Sequence, residues 1–101
     1  MGCMNMIQEI QVTKTNDWSM NLEDTYYEEN PAELLQSAVE AVQTTAPGYY
    51  VNLVTPGSFG MPEESLIPKL IHRFQEENIP VKDIHYISEC GCGGHVTRVY
   101  R

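Results

Sequence analysis

Trp18, Met20 and Leu22 alternate with Ser19 and Asn21, the two-residue period of a strand with one buried face. From Asn30 the period lengthens. Leu35, Ala38, Val39 and Val42 recur at i, i+3, i+4 and i+7, which lays an apolar stripe along one side of a helix. Asn30-Pro31-Ala32-Glu33 marks its start. Asparagine can cap free amides, proline suits the first helical position, and Glu33 can reach back to the cap. Pro47-Gly48 stops it. Tyr49 to Val54 is then apolar on both faces except at Asn52, which predicts a central strand.

A second helical stripe follows in Leu66, Ile67, Leu70, Ile71 and Phe74. Pro68 is tolerated only in a first turn. The pattern therefore predicts one distorted turn from Pro62 and the main helix from about Ser65, closed by Asn78-Ile79-Pro80. Val81 to Ser88 reads as a strand with Ile84 and Tyr86 on one face, His85 and Ile87 on the other. His95 to Arg101 returns with looser alternation, which suits an edge strand. Glu23 to Glu29 reads as an acidic loop holding Tyr26 and Tyr27, and Thr55 to Gly60 as a loop with two glycines. Ahead of Trp18, Ile10 and Val12 lie two apart within Ile7 to Thr13, a candidate short edge strand. Residues 1–16 are expected to be a flexible N-terminal segment, and residues 17–101 a single domain.

The element order is β-α-β-α-β-β. It predicts an α/β (α+β) two-layer sandwich, with a mixed sheet of about four strands and two helices on one face. Parallel strands end at a shared edge, where open α/β sheets favour ligands. Three segments leave that edge: the acidic tyrosine loop, the Gly57/Gly60 loop and Cys90-Gly91-Cys92-Gly93-Gly94. The uncovered face, bearing some of Tyr50, Asn52 and Val54, is a candidate dimer surface, so monomer and homodimer both stay open.

Charge narrows the function. Fourteen acids against six bases give a net charge of −8, which repels phosphate backbones and argues against a nucleic-acid partner. No apolar run approaches the ~20 residues that cross a bilayer. Met1-Gly2-Cys3-Met4-Asn5-Met6 has neither the basic nor the apolar region of a secretory signal, and a cytoplasmic protein is expected. Ser58 and Ser65 have no visible base or acid partner, so no hydrolase triad is indicated and the chain reads as non-catalytic.

The chemistry left is sulfur. Of three cysteines, Cys3 stands alone and Cys90 and Cys92 stand one residue apart. An even, dispersed set would mark a secreted disulfide framework. This set reads as a reducing compartment with one deliberate thiol pair. A hairpin turn needs glycine at one or two positions for positive φ; three of five exceed that need and suggest close approach by something else. Several uses stay open. The thiolates are donors for one soft ion, Zn(II) or Cu(I), with His95 as a nearby third ligand, and no other cofactor is called for. A disulfide across one residue would close a strained, easily reduced ring, so thiol redox chemistry is a second use. The third is a tight structural turn in a partner-binding domain.

Trp18-Ser19-Met20-Asn21-Leu22-Glu23, the run Ala46 to Thr55 and the run Cys90 to Val99 together resemble the CGCGG family, small proteins described as ribosomally made substrates of a radical SAM enzyme. The resemblance covers residues 17–101. It implies a radical SAM modifying enzyme as partner, and Cys90, Gly91, Cys92, Gly93 and Gly94 as the modification site.

Overall fold

The computed structural model describes residues 14–89, 91 and 93–101. Strand β1 (Trp18–Asn21) runs parallel to β2 (Tyr50–Thr55), with Trp18 opposite Val51 and Met20 opposite Leu53. Between them lie a short helix α1 (Thr25–Glu29) and the long helix α2 (Pro31–Thr44). Helix α3 (Leu66–Glu77) leads to β3 (Asp83–Glu89), and the chain turns back along β4 (His95–Tyr100). The sheet order is β1-β2-β4-β3, with β4 antiparallel to both neighbours. The expected α+β fold with a mixed four-stranded sheet is therefore present.

Three parallel strands advance one way across this sheet, and crossovers of one hand carry α2 and α3 to one face. There Leu34, Ala38, Val39, Ala41 and Val42 from α2 meet Leu66, Leu70 and Phe74 from α3 over Val51, Leu53 and Val99. Arg73 Nη2 donates to Gln36 Oε1 across the two helices at 2.7 Å. The buried stripe of α2 is turned slightly from the expected one. Leu34 is fully buried, and Leu35 is half-buried at its margin. On α3, Ile71 falls outside the stripe and is 39% exposed.

The order corrects one expectation. The last strand is not an edge: β4 lies between β2 and β3. Its loose alternation misleads because two of its buried positions carry polar residues. His95, Thr97 and Val99 all face the helices, and Thr97 and Val99 are 0% exposed. The edges belong to β1 and β3. A second correction concerns the acidic stretch after β1, where Thr25–Glu29 coils into α1. Asp24 supplies what composition hid: its Oδ1 accepts the Tyr26 amide at 3.0 Å and caps that helix.

Asn30 caps α2 by backbone alone. Its carbonyl accepts the Glu33 and Leu34 amides, while its side chain donates to Tyr26 O. Pro68 falls in the first turn of α3 as expected, after irregular turns over 62–65. Asn78 ends α3 with φ 55°, the left-handed residue that closes many helices. At the far end of α2, Arg101 Nη1 donates to the carbonyls of Val42 and Thr45, at 2.7 and 3.1 Å. That pairing meets carbonyls a helix end leaves open, and places a cation at the negative pole of the helix. Burial draws the Arg101 pKa below its ordinary value.

Lys14 pairs with this same corner. Its amide donates to Thr44 O and its carbonyl accepts the Ala46 amide. The strand expected over Ile7–Thr13 lies outside the described residues. Among the described residues, no helix is long and apolar enough to cross a membrane.

Candidate functional site

The three segments expected at the sheet edge do meet there. β2 ends in Thr55 and passes through Pro56 into a single 3-10 turn, Gly57–Phe59. β1 ends beside it and feeds Glu23 and the capped α1. The β3–β4 connection arrives from the other side, because β4 is hydrogen-bonded to β2 and Thr55 pairs with His95. A shallow cavity of about 320 Å³ lies between them, lined by Glu23, Glu28, Pro56, Gly57 and Gly94. Asn21 helps fix this wall: its Oδ1 accepts the Glu23 amide at 2.8 Å.

The contact between the two loops is made of backbone. A Cβ built on Gly57 would fall 2.7 Å from the carbonyl oxygen of Gly93, closer than real Cβ atoms approach any atom. Gly57 has an ordinary φ, so packing, not conformation, demands glycine there. Gly93 is the converse. Its φ is +93°, in the region glycine favours, and a Cβ on it would meet nothing within 4 Å. Gly94 is buried at the cavity wall. Gly91 is exposed, with φ outside the left-handed region and open space where a Cβ would project. Cys90 and Cys92 lie outside the described residues.

His95 follows the turn directly and faces the helix-covered side, 8% exposed. Its Nδ1 lies 3.3 Å from the Tyr86 hydroxyl, and its carbonyl accepts Thr55 Oγ1 at 3.5 Å. The Tyr86 pKa is raised, first by burial and then by the carboxylates of Glu89 and Glu63. These contacts anchor the C-terminal leg of the turn from beneath. Among the described residues, no group of three or more His, Cys, Asp or Glu side chains is arranged to hold a metal ion. His72 and His85 are remote from the edge. His72 pairs with Glu76 on exposed helix surface, and His85 with Asp83 on the open sheet face.

The sequence brought Glu23, Glu28, Gly57 and the turn to one edge by topology. It gave no sign of the Gly57–Gly93 contact, because two glycines carry no pattern that pairs them. Nor did it pair Tyr86 with His95. The last two strands read as an antiparallel hairpin and do pair that way, but residue types alone do not give the register, which shifts between Tyr86 and Ser88.

On the opposite sheet face a connected group runs across three strands. Arg98 Nε donates to Asn52 Oδ1 at 2.8 Å, Asn52 Nδ2 donates to Ser19 Oγ at 3.2 Å, and the Arg98 guanidinium sits 4.1 Å from the Tyr50 ring centroid. Tyr50 and Tyr100 meet edge to face.

Three comparisons bear on this arrangement. No curated protein and no solved structure matches the chain. A family described as "Putative radical SAM target protein" matches residues 5–101. The match takes in residues 5–17 as well as 18–101. The chain belongs to this family.

Proposed function

We propose that this chain is a non-catalytic substrate of the CGCGG type, and that Cys90-Gly91-Cys92-Gly93-Gly94 is the segment a radical SAM enzyme modifies. Membership of the family described as "Putative radical SAM target protein" supports the substrate role. The observation that carries the choice of segment is the seat of Gly93 on Gly57. The Gly93 end of a segment with few side chains is seated on a folded edge. Small residues beside thiols give an enzyme short access to backbone and sulfur. The wall of Glu23 and Glu28 favours a partner with basic residues around its opening.

Intact-mass measurement on protein purified from its native host tests this. The expected mass departs from that of the sequence, and fragmentation confines the change to residues 90–94. Unaltered fragments across the turn would remove the proposal. Native-state mass on the same sample also reads the rival use of the thiols. Unmodified chains carrying zinc or copper would make this a soft-metal protein.

A further inference from the structure

The glycines of the sheet edge fall into separate groups once each is asked what a methyl group would do. Gly57 is fixed by packing, because its methyl would strike the Gly93 carbonyl. Gly93 is fixed by conformation, because its φ is +93°. Gly91 is fixed by neither. Its φ is one that any residue adopts, and a methyl there would meet nothing within 4 Å among the described residues beyond its neighbours in the chain. Alanine would also order more cheaply than glycine at such a position, because it restricts the unfolded chain. The described residues therefore give no reason for glycine at 91 and a small reason against it.

We propose that Gly91 is a specificity-determining residue, kept free of a side chain so that the modifying enzyme can close on the backbone between Cys90 and Cys92. This rests on the substrate assignment above and adds to it the point of closest approach.

Gly91→Ala, expressed in the native host beside the unchanged chain, tests it with two readouts. The expected thermal midpoint lies within about 2 °C of the parent, since an exposed methyl changes little in the fold. The expected modified fraction falls by about 10²-fold, the scale of loss when a reacting segment is held about 1 Å out of place. Modification of Gly91→Ala at the parental level would overturn the inference and leave the substrate role standing. A midpoint lowered by more than about 5 °C would also overturn it, by showing that the glycine serves the fold. An unmodified parent would remove the substrate role and this inference together.

Discussion

The helix-covered face of the sheet and the Cys/Gly edge are specified in opposite ways. The face is fixed by what side chains fill: Val51, Leu53 and Val99 are 0% exposed under Leu34, Val39, Leu66 and Leu70. The edge is fixed by what side chains leave out, since Gly57 and Gly93 touch through backbone alone. In a well-packed interior a lost methylene leaves a gap that neighbours close only partly. At the edge an added methyl is the disturbance. The difference teaches that substitutions toward smaller residues probe the scaffold, and substitutions toward larger ones probe the site.

The largest effect is expected in the core. Leu53→Ala removes a fully buried side chain from the middle of β2, opposite Thr97 and Met20. It should cost about 2–5 kcal/mol by denaturant titration, a large share of the stability of so short a domain. A loss under about 1 kcal/mol would show that the two helices do not depend on this face, and the contrast with the edge would fail.

Gly57→Ala comes next and reads the edge from the other direction. The added methyl would meet a backbone oxygen at 2.7 Å, which cannot rotate away as a side-chain tip can. Either the 3-10 turn or the β3–β4 connection must shift, at a cost of about 1–3 kcal/mol. Amide exchange should quicken around Gly94 and His95, while the amides of α2 keep their relative protection. Faster exchange spread evenly through the domain would mean the seat belongs to the core and not to a separately specified edge.

The two regions were not equally legible. Periodicity located β1, both long helices and the central place of β2, because each exposes a two-residue or 3.6-residue rhythm in its own segment. It also gathered the acidic stretch, the Gly57 loop and the turn, since parallel strands must end together. It misplaced β4 because burial there follows register against β2 and β3, not the chemistry of His95 and Thr97. It missed α1, whose five residues hang on one Asp24 cap in a stretch too short to show a period. The Gly57–Gly93 seat was invisible for a plainer reason. Contacts between bare backbones leave no mark in residue type beyond the glycines themselves.

Thr97 gives the smallest and most discriminating effect. Its hydroxyl is buried with no hydrogen-bond partner among the described residues, directly beside Leu53 and Tyr86 in register. A hydroxyl in that position forfeits its water without recovering a partner. Thr97→Val keeps the branched shape and removes the oxygen, so stability should hold or rise by about 1 kcal/mol. The turn should be modified as in the parent, because nothing at the edge has moved. A loss of more than about 1 kcal/mol would show that the hydroxyl is bonded in solution. β4 would then be held by a polar contact as well as by filled space, and the division between a packed face and an edge of bare backbone would have to be drawn elsewhere.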